Sequence, residues 1–286
     1  MTSDEGVAWE AWLRWRERTD IDRLTWHEMH LLPTFAPERL RQFLVDDPAA
    51  GIVSGIVRRA WTQAGMRLRL ARDLAAELEA VGLGPVMLAG PVAAFARCAR
   101  PGAVRPVTEI HLALPREGCA AAVDRLAPAG WLLLDPLPRA KEYNWKTHLM
   151  LQRDDLVLRL IWRHVQTTPW RARSCEADLF RSTESVMPLE ALLLSVAAGG
   201  SGGDGLVPWQ ADCGVLIPGP VDWPAVAAAA AAYAPAAFDR LDHLRELGAA
   251  VPDLERRGSA MARAEATLAR VLKAVILEVR GRIQGR

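Results

Sequence analysis

Hydrophobic positions recur at helical spacing through the first part of the chain. Trp9, Trp12 and Trp15 lie on one apolar stripe, and a second stripe runs through residues 51–82. Spacings of three and four residues place side chains on one side of an α-helix, which predicts amphipathic helices. We therefore predict an N-terminal helical region over residues 1–82.

The pattern changes in the middle of the chain, where short apolar runs replace the helical stripes. Residues 84–90, "GPVMLAG", form an apolar run bounded by glycines, and residues 107–114 alternate between apolar and polar. Both patterns are typical of strands. Residues 148–162 contain an apolar, strand-like run on each side of Asp154, which predicts a hairpin. With helices between the first strands, this order predicts a small mixed α/β sheet over residues 83–170.

Helical patterns return from Pro188 onward, and we predict a C-terminal helical region over residues 171–286. The last of them, residues 259–282, places its apolar side chains on one side of a helix: Met261, Leu268, Val271, Leu272, Val275, Ile276 and Val279. Such a stripe either packs on the protein's own core or docks a partner. The predicted class is therefore α+β, with a small mixed β-sheet core between N-terminal and C-terminal helical regions.

Composition and charge exclude several classes of function. The chain has 286 residues, 51% of them hydrophobic, and a net charge of +1 without a sustained basic run, so we expect no nucleic-acid binding. Uncharged apolar runs are shorter than the roughly 18 residues that a membrane span needs. The four cysteines show no metal-type spacing. With no secretion signal at the start, we expect a cytoplasmic protein that does not contact a membrane.

An acid and an imidazole share one face of a predicted strand. In "RPVTEIHLAL", residues 105–114, alternation places Glu109 and His111 on one face and Ile110 and Leu112 on the other. Two interpretations stay open at this point. The pair is either an altered metal site or two polar residues on a half-buried strand.

The order of segments resembles a family of uncharacterised bacterial proteins in the nucleotidyltransferase superfamily, which have a polymerase-beta-like core flanked by helices. The resemblance covers roughly residues 8–252. It rests on "WLRWRERTDIDRLTWHEMHLLPTF", "RRAWTQAGMRLRLARDLAAELEAVGLGPVMLAG", "RPVTEIHLAL", "LVLRLIWRH", "MPLEALLLSVAAGG", "VPWQADCGVLI" and "VDWPAV". It implies a nucleotidyltransferase-like core and a site at the strand that carries Glu109.

The resemblance also implies which residues stand at the catalytic positions. Such proteins carry Asp-x-Asp on one strand and a third carboxylate on another, and these acids hold two divalent ions for nucleotidyl transfer. Here the positions read Glu109, His111 and Arg159. One acid beside a guanidinium does not offset the charge of two metal ions. We therefore expect a catalytically inactive core without bound metal, in which Glu109 forms a salt bridge with Arg159.

Two enzymatic alternatives remain. In the first, Glu109 holds a single Mg²⁺ with a nucleoside triphosphate and nucleotidyl transfer survives. In the second, His111 is the general base of a different reaction. If no catalysis survives, the expected role is that of an accessory protein in a bacterial biosynthetic pathway. Such a protein would be a monomer or homodimer and would bind a protein partner or a small-molecule or nucleotide ligand.

Residues for nucleotide binding are also predicted beside this site. Gly90 lies where the family has a phosphate-facing turn, and Arg97, Arg100 and Arg105 surround the following loop. Arginine grips phosphate through a planar fork of donors, so these side chains could hold a nucleotide without a metal. The alternative is that these arginines are ordinary solvated side chains. Pro91 lacks an N–H and removes one donor from the turn.

Other polar motifs support weaker hypotheses. Asp212 is expected to cap a helix or to bond across to the core. The glycine-rich segment 199–205 has no Gly-Lys-Ser/Thr sequence and is interpreted as a loop. His27 and His30 have helical spacing but no third ligand. Cys175 has no base beside it in the sequence and is given no nucleophilic role.

Overall fold

Secondary structure changes from helices to strands and back to helices along the chain. The structure, a computed structural model, describes residues 3–34, 41–42, 44–98, 103–139, 142–199 and 209–254. Over these ranges it contains ten α-helices and one five-stranded mixed sheet, which confirms the predicted α+β combination. Arg100, residues 200–205, the side chain of His27 and the helix predicted over 259–282 lie outside what is described.

The helices flank the strands on both sides in the sequence. They are α1 (Ser3–Arg18), α2 (Trp26–Leu31), α3 (Ala50–Ala80), α4 (Gly90–Arg97), α5 (Cys119–Leu126), α6 (Ala172–Leu179), α7 (Leu189–Ala197), α8 (Trp209–Leu216), α9 (Trp223–Tyr233) and α10 (Ala237–Glu246). The strands are β1 (Met87–Ala89), β2 (Glu109–Ala113), β3 (Leu132–Leu133), β4 (His148–Arg153) and β5 (Leu156–Ile161). Helix α6 was not predicted from the sequence.

The sheet has the order β1-β2-β5-β4-β3. Strands β2 and β5 are parallel, and every other neighbouring pair is antiparallel. The predicted hairpin is present as β4 and β5, and its turn contains Asp154 with a positive φ of 53°. Aspartate tolerates this left-handed conformation because its short side chain bonds to nearby backbone.

One face of the central strands is rich in buried leucines. Leu149 on β4 and Leu158 on β5 are completely buried, as is Ile110 on β2. Because a strand has a period of two, burying these residues turns Glu109 and Arg159 to the opposite face. The leucine-rich face thereby fixes the register that brings the polar residues together.

The hydrophobic core extends past the predicted region boundary at residue 170. One cluster of buried side chains runs from Ala64 on α3 through the sheet to Leu254. A smaller cluster, which includes Trp12 and Leu32, joins the N-terminal helices to the start of α3. The described strands fall within residues 83–170, but their apolar packing is shared with the C-terminal helices.

A backbone segment lies along the outer edge of β1. The N–H of Leu88 donates to the carbonyl of Ser185 at 2.8 Å, and the N–H of Met187 donates to the carbonyl of Leu88 at 2.8 Å. Exposed strand edges invite pairing with other chains. Here the connection between α6 and α7 covers that edge and links the sheet to the C-terminal helices.

A buried ion pair joins the loop before β2 to helix α8. The Arg105 guanidinium donates to both carboxylate oxygens of Asp212, at 2.8 and 2.9 Å, and also to the carbonyl of Pro106. The Arg105 side chain has no solvent exposure and that of Asp212 has 2%. The expectation that Asp212 bonds across to the core is confirmed.

No helix in the described ranges is both long enough and apolar enough to cross a membrane.

Asp212→Ala should lower the free energy of unfolding by about 3–5 kcal/mol, because it leaves the Arg105 charge buried without its counter-charge. Urea unfolding followed by circular dichroism measures the change. Asp253→Ala, which removes an exposed ion pair with Arg245, is the control and should have little effect. Adding Arg105→Met to Asp212→Ala should recover part of the loss. Equal stabilities of Asp212→Ala and wild type would contradict this account.

Candidate functional site

Three strand residues converge on the polar face of the sheet. Glu109 and His111 are two residues apart on β2 and therefore share a face. His111 is in register with Arg159 on the parallel neighbour β5, so these side chains also lie side by side. The sequence-based prediction placed these three positions together, and the structure does bring them into contact.

The Glu109 carboxylate is held by both neighbours. Arg159 Nε lies 2.7 Å from Oε2 of Glu109, and Arg159 Nη2 donates to Oε1 at 3.1 Å. His111 Nε2 donates to Oε2 at 3.1 Å. The predicted salt bridge between Glu109 and Arg159 is therefore confirmed. Both carboxylate oxygens of Glu109 therefore contact the guanidinium of Arg159, and Oε2 also accepts a hydrogen bond from His111.

The triad of Glu109, His111 and Arg159 is largely removed from solvent. The exposed fractions of the three side chains are 17% for Glu109, 19% for Arg159 and 0% for His111. Burial alone raises the pKa of Glu109, but the bonds from His111 and Arg159 and the positive charge of Arg159 outweigh it. The net pKa of Glu109 is below its ordinary value of 4.5. The carboxylate is thus ionised and paired at neutral pH.

Gly90 makes room for His111. The glycine starts α4 directly after β1, has a φ of 54°, and follows Ala89, which is in register with His111. A β-carbon on Gly90 would overlap the His111 ring, with Nδ1 as the nearest atom. Pro91 lies in the first turn of α4. Gly90 therefore has a steric role in the site, and its prediction as a nucleotide-binding residue stays untested.

His148 on β4 belongs to the same face and was missed from the sequence. It is in register with Ile161, two residues beyond Arg159 on β5. Burial and, less strongly, the nearby Arg159 charge lower the pKa of His148 to about 4. Its Nδ1 is hydrogen-bonded to Thr147 Oγ1 at 3.0 Å. The alternation of the hairpin carried the signal that would have placed this neutral imidazole beside the triad.

Two of the three arginines predicted to bind a nucleotide, Arg97 and Arg105, have partners within the protein. Arg105 is buried against Asp212, away from solvent, so a ligand reaches it only if that ion pair breaks. Arg97 Nε donates to the carbonyl of Met187 at 2.7 Å, and its Nη2 pairs with Glu184. Arg97 thus fastens α4 to the segment that covers β1. The prediction for Arg105 is revised on this ground, because its donors already stabilise the fold.

The donor set does not suit a hard divalent cation. Within the described residues, no three side chains of the His, Cys, Asp and Glu types converge in a group that could hold a metal ion. Mg²⁺ requires oxygen ligands, and the one carboxylate of the triad already binds a guanidinium and an imidazole. The Mg²⁺ of the enzymatic alternative therefore does not fit the residues as they are arranged.

A second cluster near the end of β5 has no accessible nucleophile. Cys175 Sγ lies 3.9 Å from His164 Nδ1, and both residues are buried. Burial raises the pKa of Cys175 to about 12 and lowers the pKa of His164 to about 4. A thiol of this kind stays protonated and unreactive. The sequence likewise predicted no catalytic role for Cys175.

Comparisons with known proteins add no family to this description, since no family model and no curated protein matches the chain. The fold and the site together define a mixed α/β protein in which one face of the sheet carries polar residues. On that face, Glu109, His111 and Arg159 form an internally paired triad beside His148.

Gly90→Ala should destabilise the protein by about 1–3 kcal/mol, because alanine is strained at positive φ and its methyl group displaces His111. Gly65→Ala is the matched control. Gly65 lies inside α3, where an added β-carbon would have no neighbouring atom within 4 Å. There alanine should stabilise by about 0.5–1 kcal/mol. Thermal and urea unfolding measure both changes in stability. If Gly90→Ala is as stable as wild type, Gly90 has no steric role beside His111.

Stability should depend on pH through Glu109. Because the pKa of Glu109 is lower in the folded protein than in the unfolded chain, its contribution is complete above pH 4.5 and is lost as pH falls through the folded value. The stability difference between wild type and Glu109→Gln should therefore shrink in acid. Carboxyl ¹³C NMR gives the titration directly. In Arg159→Gln the midpoint should move up toward 4.5, and an unmoved midpoint would show that Arg159 does not stabilise the carboxylate.

Proposed function

We propose that this chain is a non-catalytic protein with a nucleotidyltransferase-like core, which acts by binding a protein partner in a bacterial biosynthetic setting. The observation that carries the proposal is the contact of Arg159 with both oxygens of Glu109. The resemblance puts a metal-bridging carboxylate where Arg159 stands. A guanidinium at that position supplies the positive charge that a metal ion would otherwise bring.

The order of strands supports the comparison with a nucleotidyltransferase core. Glu109 and His111 occupy alternate positions of β2, and Arg159 occupies the register partner of His111 on β5. Neighbouring strands lie about 4.8 Å apart, so carboxylates at the three positions would converge on shared cations. The backbone arrangement is thus suitable for metal binding, while two of the three side chains are not.

Charge argues against metal-dependent transfer. Two divalent ions carry four positive charges, which a site offsets with several carboxylates. The triad has one negative charge from Glu109 and one positive charge from Arg159. Cations entering here would meet a site that is already neutral and partly buried, and they would have to displace Arg159 from its only acid in the triad.

The arginine partners favour a protein over a nucleotide as the binding partner. A triphosphate without metal needs several cationic donors to neutralise it. Arg97, Arg105 and Arg159 each donate to acids or carbonyls of the protein itself. Nucleotide binding through them would cost these internal bonds. A protein partner bound elsewhere on the surface leaves them intact.

Restoring the carboxylates tests the proposal. His111→Asp combined with Arg159→Asp should create a Mn²⁺ site with a Kd below about 1 mM, measured by electron paramagnetic resonance. His111→Asn with Arg159→Gln is the matched control, because it removes the same contacts without adding acids. Wild type and control should bind no Mn²⁺, and ATP should not change this beyond the formation of Mn–ATP.

The enzymatic alternative gives a different pattern in the same experiment. If Glu109 still holds a metal for nucleotidyl transfer, wild type should bind Mn²⁺ together with ATP, and Glu109→Ala should lose that binding. Such a result would refute the non-catalytic proposal. If the restored variant folds but binds no Mn²⁺, the nucleotidyltransferase-like geometry of the site is refuted instead.

A further inference from the structure

Helix α9 borders an apolar groove on the surface of the C-terminal helical region. The groove has a volume of about 490 Å³ and is lined by Trp223, Pro224, Ala227, Ala228 and Ala231 of α9 and by Pro252, Asp253 and Leu254. We call it the α9 groove. It uses no residue of the Glu109 triad and is independent of the function proposed above.

The shape of the α9 groove suits a helix. Trp223, Ala227 and Ala231 follow one another at intervals of four residues, so the groove runs along the axis of α9. The opposite side of α9 packs into the core through Val226 and Ala230, which are both completely buried. Alanines at the floor let another backbone approach closely, as small residues do where helices pack.

The α9 groove offers little to a charged ligand. Among the described residues that line it, one is charged: Asp253, whose carboxylate lies 2.7 Å from Arg245 Nη1. The other described lining side chains are apolar. An occupant would therefore bury aliphatic side chains here, and each buried methylene group contributes about 0.8 kcal/mol.

The end of the described chain forms one wall of this groove. Residues 255–258 separate Leu254 from the predicted amphipathic segment 259–282. At 3.3–3.6 Å per residue, residue 259 lies within about 18 Å of Leu254. The connection is therefore short enough for the segment to reach the groove, and the sequence from Met261 to Val279 carries an apolar stripe that could face the apolar lining.

We propose that the apolar side of residues 259–282 docks into the α9 groove of the same chain. The connection of 255–258 makes this contact intramolecular, which gives the segment an effective concentration in the millimolar range. A second copy of the chain would have to compete with that concentration. The docked segment would extend the hydrophobic core past Leu254 and would cover the open side of α9.

Hydrogen exchange of the full chain tests this contact. Amides of residues 261–279 should be protected in wild type. Ala228→Glu places a charge in the groove at an exposed position and should speed their exchange by about tenfold. Ala225→Glu is the matched control, because Ala225 is exposed on α9 but does not line the groove. It should leave the exchange unchanged.

A reciprocal pair of variants tests the segment itself. Val275→Glu interrupts the apolar stripe and should speed exchange in residues 223–231, whereas Ala274→Glu, which a helical projection places on the polar side, should not. Unprotected amides over 261–279 in wild type would overturn the proposal. Protection that survives Ala228→Glu would also overturn it, since the segment then packs elsewhere. A third result would also overturn the intramolecular contact. If the protein has the mass of a dimer, and both this mass and the amide protection are lost on dilution, the groove binds a second copy of the chain.

Discussion

The contact between the Glu109 carboxylate and the Arg159 guanidinium decides what the polar face of the sheet can do. The carboxylate is mostly buried, and ionised acids are stable in such surroundings when an opposite charge and hydrogen-bond donors reach them. Arg159 and His111 supply both. The resulting triad is neutral, because the negative charge of Glu109 is already paired with Arg159 inside the protein.

The same requirement, that a buried charge has an opposite charge beside it, accounts for Arg105, one of the three arginines predicted to bind a nucleotide. Arg105 and Asp212 are 107 residues apart, yet both are buried and bound to one another. A buried ion pair contributes little net stability, but each partner requires the other. The pair thus ties the loop before β2, which leads to Glu109, to helix α8. Folding of the C-terminal helices and formation of the site are linked through it.

Local periodicity predicted what depends on neighbours in sequence. The alternation of residues 107–114 placed Glu109 and His111 on one face, and the apolar runs on either side of Asp154 predicted the hairpin. The contact of Arg159 with Glu109 needed the family resemblance, because periodicity does not say which strands pair. The partner of Arg105 could not be assigned uniquely for the same reason. His148 was missed because a single histidine forms no motif, although the alternation of the hairpin places it on the same face as Arg159.

The triad also constrains how its residues can change. Replacing Arg159 alone by an acid would set two carboxylates side by side, which raises the pKa of one of them and leaves its charge without a partner. Replacing His111 alone by aspartate would give one guanidinium two acids to neutralise. The joint replacement would leave three carboxylates without a positive charge from the triad, whereas Gly90, which has no β-carbon, makes room for the imidazole that is present. The three positions therefore form one electrostatic unit, because a change of charge at one of them leaves the charge of another unpaired.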